Sequence, residues 1–250
     1  YDTPNKSIFE YEDIRGEAHE LKAKNINPYL VDAKDVLIGT RKKPICNVPE
    51  MNYGSMANDG GFLLLTDDEK TQMIKHEPDA GNFIRPFLGS FEFINNVKRW
   101  CIWLKNVSPN EFSKINGIMH RISEVKKYRQ KSSREATRRL GETPYLFGEI
   151  RQPSSDYLIV PGVSSENRKY IPIGYLDKEI IASDLARTLP DAKMYHFGIL
   201  TSLMHMTWVR YVCGRLKSDY RYSGSIVYNN FPWPLDPTDR QVKAIEAAAQ

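Results

Sequence analysis

The residues with the clearest chemical capacity lie in the run GRLKSDYRYSGSIVYNNFPWP, from Gly214 to Pro234. Arg215, Lys217, Asp219 and Arg221 stand there among Tyr220 and Tyr222, so charges of both signs alternate with aromatics. Lys and Arg donate to O6 and N7 of guanine, and an aspartate accepts from the N4 amino group of cytosine. Tyrosine and serine hydroxyls, here Tyr220, Tyr222 and Ser223, suit phosphates and sugars. A solvated helix end with a few ion pairs gives the same alternation.

Two further stretches offer polar chemistry. Pro109 to Arg139 reads as largely helical, in one segment or two, and its later half is basic. Helical spacing puts Lys127, Lys131 and Arg134 on one stripe. Such a stripe can follow a phosphate backbone, and a solvated face has the same pattern. Ser164, Ser165, Glu166, Asn167, Arg168 and Lys169 form a polar loop after a turn at Pro161-Gly162.

Several chemistries lack their residues. No glycine-rich loop follows a strand, and no GxxxxGK[ST] occurs. The five histidines form no HExxH pair, and His196 and His205 sit on an apolar helical stripe where packed histidines are common. Ser154-Ser155 and Ser164-Ser165 lack the nucleophile-elbow pattern. Cys46, Cys101 and Cys213 are far apart and without CxxC spacing, which suits reduced thiols in a cytoplasmic protein rather than a zinc module. No apolar run approaches the length of a membrane span. Net charge is only +4, from 35 basic and 31 acidic residues, so the distribution of charge says more about a partner than its sum.

The elements that must position these residues follow from pattern. Hydrophobic content of 41% and aromatic content of 11% support a packed core. Short strands are expected at 29–31, 36–38, 62–65, 99–104, 157–160, 170–174 (an edge, because of Pro172) and 180–181. Thr66 with Glu69 predicts a capped helix over 67–76. Apolar residues at 199, 200, 203, 204, 208, 209 and 212 predict one helix over 195–212, with Gly214 suited to its C-terminus. Thr238 and Asp239 open a last helix over 240–249. Strands and helices do not alternate strictly, so the fold class is mixed α/β with mostly antiparallel sheet and flanking helices. The chain opens at Tyr1 and closes at Gln250 inside a helical pattern, which reads as an excised part of a longer protein. The expected division is a polar lead-in over 1–24, one domain over 25–235, and the start of a spacer helix over 236–250.

Together, several segments resemble the target recognition domain of MmeI-like type IIL restriction-modification proteins. They are Ile26-Asn-Pro-Tyr-Leu-Val31, Gly54-Ser55 with Asp59-Gly-Gly61, Phe83-Ile-Arg-Pro86, Glu92-Phe-Ile94 with Arg99-Trp100, Tyr170-Ile-Pro-Ile-Gly174, Tyr195-His-Phe-Gly198, and the run from Gly214 to Pro234. The resemblance covers roughly residues 7–234. It implies a bacterial domain that chooses the sequence of double-stranded DNA and is non-catalytic by itself. It also implies an upstream adenine-N6 methyltransferase domain in the same chain, binding S-adenosylmethionine, with Mg2+ required where the parent cleaves. Positions matching Lys217 and Asp219 are implied to read one outer base pair, and Arg221 with Leu185 a second. Asn229-Asn-Phe-Pro-Trp-Pro234 lacks the prolines of an NPPY catalytic motif, so no catalytic role is assigned to it. A protein-interaction or regulatory domain docking within a larger enzyme is the alternative from another class.

Overall fold

The computed structural model describes residues 5–13 and 15–250. Residues 1–4 of the expected lead-in, and Ile14 in its mixed-charge run, lie outside the described residues. The rest of that lead-in forms an antiparallel hairpin of β1 (Lys6–Glu10) and β2 (His19–Ala23).

The first half of the chain continues with β3 (Asn52–Tyr53), β4 (Leu64–Leu65), α1 (Asp67–His76), β5 (Ile84–Leu88), α2 (Ser90–Asn95) and β6 (Trp100–Ile102). Three helices follow: α3 (Pro109–Phe112), α4 (Asn116–Gln130) and α5 (Glu135–Arg139). The helix at 67–76 begins as its sequence predicts: Thr66 Oγ1 accepts from Glu69 N at 3.2 Å, and the Glu69 carboxylate accepts from Thr66 N at 2.8 Å. The second half holds β7 (Tyr157–Pro161), β8 (Val163–Ser164), β9 (Gly174–Leu176), β10 (Ile181–Ala182) and β11 (Ala186–Pro190). After them come α6 (Met194–Leu200), α7 (Leu203–Val212), β12 (Gly214–Leu216), β13 (Asp219–Arg221), a π turn over Gly224–Tyr228, and α8 (Asp239–Ala249).

Beyond the terminal hairpin, the strands form three sheets, ordered β10-β5-β6-β4, β3-β11-β7-β9 and β12-β13-β8. Every ladder is antiparallel except β10 with β5, which agrees with the expected mixed class. β6 is internal to its sheet, as its bulky residues on both faces require. β7 is buried along its whole length and internal to the second sheet. Successive side chains of a strand point to opposite faces, so β7 feeds two cores. Leu158 and Val160 join Leu189, Val209, Tyr228 and Trp233, whereas Tyr157 and Ile159 join Ala182 and Ala186. A separate core is built from Leu63, Leu65, Ile102, Ile118, Val125 and their neighbours on the helices of the first half.

Four sequence expectations change. Residues 29–31 and 36–38 form no strand; among the described residues, the pairing in this stretch is an isolated bridge between Ile26 and Asp32. The strand expected over 170–174 starts only at Gly174, where it is an edge as Pro172 suggests. The helix expected over 195–212 is two helices, because Ser202 caps α7 by accepting from His205 N at 3.2 Å. That cap competes with a continuous helix, as serine side chains commonly do. Gly214 does not close the helix: Cys213 ends it in an extended conformation, and Gly214 opens β12.

Arg129 lies in the basic run yet is fully buried. Its guanidinium donates to the carbonyls of Asn58, Leu140, Thr143, Ala57 and Leu146 at 2.8–3.1 Å. It therefore closes the end of α4 onto the loops at 57–58 and 140–146. Arg129→Met should lower unfolding free energy by at least about 3 kcal/mol, because buried carbonyls lose their donors together. Urea unfolding followed by tryptophan fluorescence measures this; a loss below about 1 kcal/mol would show that water replaces the guanidinium freely.

Candidate nucleic-acid interface

The run from Gly214 to Tyr222 is a β-hairpin, not a helix end. β12 and β13 pair with Leu216 opposite Asp219, leaving Lys217 and Ser218 as the two-residue turn. Period two then sorts the side chains. Tyr220 and Tyr222 point into the core, at 4% and 1% exposure, while Lys217 and Arg221 are exposed. Tyr222 shares a 3.0 Å hydrogen bond with His205 Nε2. Arg215 lays its guanidinium over the Tyr220 ring, 3.9 Å from the centroid, and donates to Ser218 O at 3.0 Å. Tyr220 and Tyr222 are therefore corrected: they are the anchoring face of the hairpin, not phosphate contacts. The alternation in Asp-Tyr-Arg-Tyr already contained that signal.

Burial also corrects Ser164. It pairs with Tyr220 across β8 and β13, and its hydroxyl is buried without a partner. Ser165 Oγ accepts from Asn167 N at 3.3 Å, and Arg168 N donates to Ser165 O at 3.2 Å, which shapes the loop. Lys169 is exposed, its Nζ 5.5 Å from the Tyr170 ring centroid. This loop meets the hairpin directly, because Asp219 Oδ1 accepts from Glu166 N at 3.2 Å. Ser223 Oγ accepts from Ile226 N at 3.3 Å and caps the π turn.

Leu185 is brought to the same place. It is exposed in the loop between β10 and β11. Leu185 O accepts from Gly162 N at 3.3 Å and from Ser90 Oγ at 2.6 Å. Gly162 O accepts from Tyr222 N at 2.9 Å, next to Arg221. One residue's backbone thus spaces Leu185 from Arg221.

The expected basic stripe is not a stripe. α4 ends at Gln130, and Arg134 stands beyond it as the residue capping α5. Lys127 is held by Glu124 at 2.6 Å. Lys131 and Arg134 instead share a cleft of about 350 Å³ with Asn58, Tyr128 and Thr137. Among the described residues, no hydrogen bond joins these three basic residues to the hairpin or its flanking loops.

Sequence reasoning missed Arg187. It pairs with Tyr53 across β11 and β3, and its guanidinium lies 3.8 Å from the Tyr53 ring centroid. Nη1 donates to Asp184 O at 3.1 Å and Ala186 O at 3.3 Å, while Nε is buried without a partner. Burial lowers its pKa, Tyr53 and Asp184 oppose that shift, and the nearby Arg221 charge adds to it. A lone cation inside a short strand-forming run was the available signal.

Among the described residues, no group of three His, Cys, Asp or Glu is placed to hold a metal ion, and no helix is long and apolar enough to cross a membrane. The fold and this surface describe a mixed α/β domain that presents an exposed charged hairpin from a rigid base. The chain belongs to the MmeI target recognition domain family, whose model matches residues 32–235. DNA methyltransferase A of Bacillus subtilis (strain 168) is 43% identical over 223 residues, covering 89% of this chain and 25% of that protein. The structure of the type IIL restriction-modification enzyme MmeI in complex with DNA matches with a TM-score of 0.92 at 47% identity, over 100% of this chain and 33% of that one. This chain thus spans a quarter to a third of these relatives.

Lys217 holds a left-handed backbone, φ 57°, at the hairpin tip. A non-glycine residue there costs about 1 kcal/mol. Lys217→Gly should raise thermal stability by about 0.5–1 kcal/mol while removing the exposed ammonium; a fall in melting temperature would show that Lys217 supports the turn. Burial lowers the pKa of His205 to about 4 from an ordinary 6.5. The neutral ring is the folded form, so its contribution is complete above pH 6.5 and is lost as pH falls towards 4. The loss across that window is on the order of 3 kcal/mol. Urea midpoints at pH 7 and pH 5 should differ less in His205→Gln than in the parent; an equal difference would place the acid sensitivity elsewhere.

Proposed function

We propose that this domain reads double-stranded DNA in the major groove for an adenine-N6 methyltransferase carried in the same larger protein. The observation that carries this reading is the β12–β13 hairpin. One of its faces is locked into the core by Tyr220 and Tyr222, and the other leaves Lys217 and Arg221 exposed and without ion pairs among the described residues. A two-stranded ribbon fits the major groove, whose base edges each show a distinct donor and acceptor pattern. Family membership and the relative solved with DNA support the same reading.

In this reading Lys217 donates to guanine, and Asp219 accepts from the paired cytosine. Asp219 Oδ1 already holds Glu166 N, which fixes its rotamer and leaves the second carboxylate oxygen for the base. Arg221 donates to a purine N7 or to guanine O6 at a second position, with exposed Leu185 held nearby through the Gly162 backbone. Arg215, Arg168, Lys169, Ser165 and Ser223 are the surrounding candidates for backbone contact. Lys127, Lys131 and Arg134 form a separate candidate patch. S-adenosylmethionine would bind the methyltransferase part, and Mg2+ would serve cleavage where the parent also cuts. The domain itself is proposed to recognise and not to react. A protein-docking module is not favoured by the family match.

The test is single-molecule sequencing of DNA from a host expressing the full-length protein, read for N6-methyladenine in a defined motif. Exchanging Lys217 and Asp219 for another residue pair should change one outer G·C pair of that motif and nothing else. Lys217→Ala should cost about 1–3 kcal/mol on the cognate site and relax that position. An equal loss on all sequences would make Lys217 a phosphate contact. A motif indifferent to the exchange would move base reading to other residues. No motif at all, from an expressed protein that binds its cofactor, would sink the proposal.

A further inference from the structure

Several cations of this chain are neutralised where they stand. Arg99 pairs with Glu92 at 3.0 Å, Arg121 with Glu69 at 2.7 Å, and Arg139 with Glu135 at 2.6 Å. Arg151 pairs with Glu149, and Lys43 with Glu50 at 3.0 Å. Two clefts depart from this pattern: the one that Lys131 and Arg134 share, and a second one on the side of the hairpin. The second measures about 440 Å³, and Arg41, Lys42 and Arg187 line it with Thr40, Tyr53 and Ser225. No aspartate or glutamate is among its lining residues.

The two arginines are held in place before any ligand arrives. Arg41 Nε donates to Asn230 Oδ1 at 2.8 Å, and Arg41 N donates to Ser225 O at 2.9 Å. Asn229 Nδ2 donates to Arg41 O at 2.8 Å, and Asn230 Nδ2 donates to Gly39 O at 2.9 Å. The two asparagines therefore clip the 39–45 loop onto the π turn. Arg187 is fixed from the opposite wall by the Tyr53 ring and by two carbonyls. Among the described residues, the terminal nitrogens of Arg41 and Nη2 of Arg187 donate to no protein group. Lys42 is exposed and unpaired.

Two planar guanidiniums and an ammonium around a pocket without carboxylates match a tetrahedral oxyanion, which accepts forked hydrogen bonds from arginine. Tyr53 offers no stacking face on the side that Arg187 covers, so a flipped base is a poor fit. Position argues for the source of the anion. A β-carbon added at Gly162, which links Leu185 to Arg221, would stand 3.6 Å from Arg187 Nη1. The cleft thus adjoins the hairpin and its neighbour loop.

We propose that the Arg41–Lys42–Arg187 cleft binds a phosphate of the DNA backbone, beside the base pairs faced by the β12–β13 hairpin. This rests on the DNA-reading function proposed above. The clamp would set the register from which Lys217 and Arg221 reach base edges, because phosphate contacts position and base contacts specify.

The experiment uses the full-length protein with cognate and scrambled duplexes, titrated between 50 and 200 mM salt. Lys42→Ala is the primary variant because its side chain is exposed; Arg187→Lys is the second, keeping charge but losing the planar fork. Lys42→Ala should weaken both duplexes by the same factor and lower the log–log salt slope by about 0.9. Across that salt range the parent should lose about threefold more affinity than Lys42→Ala. A duplex with one neutral methylphosphonate at the clamped position should weaken the parent more than it weakens Lys42→Ala, in which only Arg41 and Arg187 remain to lose the charge. An unchanged slope in Lys42→Ala and unchanged affinity in Arg187→Lys, with the parent binding DNA normally, would overturn the clamp alone. Normal DNA binding by both variants, together with stabilisation of the parent but not of Lys42→Ala by inorganic phosphate, would make the cleft a free-anion site and equally overturn it. A parent that binds neither duplex would overturn the DNA reading, and the clamp with it.

Discussion

Gly162 is the point on which the candidate interface depends. Its N–H is shared between Leu185 O at 3.3 Å and Ser90 Oγ at 2.9 Å, and its carbonyl accepts from Tyr222 N at 2.9 Å. Ser90 starts α2, Leu185 sits between β10 and β11, and Tyr222 follows β13. Three separate segments therefore meet at one residue. A β-carbon at Gly162 would come within 2.6 Å of Leu185 O, a backbone atom that cannot step aside. A second close approach fixes the other side of the loop. Ser55 N donates to Ala182 O at 2.7 Å, Asp184 N donates to Ser55 O at 3.1 Å, and a β-carbon at Gly54 would lie 2.3 Å from Ser183 O. The loop carrying Leu185 is held between two sheets by backbone hydrogen bonds, so its position does not rely on its own exposed side chain.

This explains how an exposed hairpin can be stiff. A hairpin alone is marginally stable in water. Here β8 adds a third strand, and Tyr220 and Tyr222 sink into the core that holds Val209, Tyr228, Phe231 and Trp233. His205 closes the arrangement from α7, edge-on to Phe231 at 5.0 Å between ring centroids. Its low pKa follows from that burial and keeps the ring neutral at pH 7. Lys217 and Arg221 can then change without disturbing Tyr220 and Tyr222, because period two puts them on opposite sides, whereas Arg215 lies over the Tyr220 ring.

The sequence disclosed the fold unevenly, for physical reasons. The helix at 67–76 was legible because its cap is local: Thr66 and Glu69 satisfy each other within one turn. β7 was legible from an unbroken apolar run. The break at Ser202 was not, since the apolar stripe continues through it and only a competing side-chain cap stops the helix. Buried Arg129 looked like any other basic residue of its run, because its partners are carbonyls up to 72 positions away. At the interface, the hairpin residues themselves were legible by type. Their sorting into a core face and an exposed face required the strand assignment, which the helix-end reading obscured. The cleft of Arg41, Lys42 and Arg187 was not legible at all. Its walls are about 145 residues apart in sequence and meet only through folding.

Asn229 and Asn230 show how non-local packing gives a segment its meaning. Read alone, Asn-Asn-Phe-Pro-Trp-Pro has the look of a damaged catalytic tetrapeptide. In the fold, both asparagines are buried, and their amides donate to the carbonyls of Gly39, Arg41, Ser225 and Ile226. A buried carbonyl without a donor costs more than the hydrogen bond itself is worth, so the 39–45 loop can lie against the π turn only while these amides are present. Phe231 and Trp233 supply the apolar weight behind them, with ring centroids 5.5 Å apart. The segment is therefore a clip. It lets a polar loop with few apolar side chains of its own present the Arg41 guanidinium at a fixed height opposite Arg187, with exposed Lys42 next to it. Electrostatic recognition needs that fixity more than it needs charge, because a mobile cation in water gives up in ordering much of what it gains in attraction.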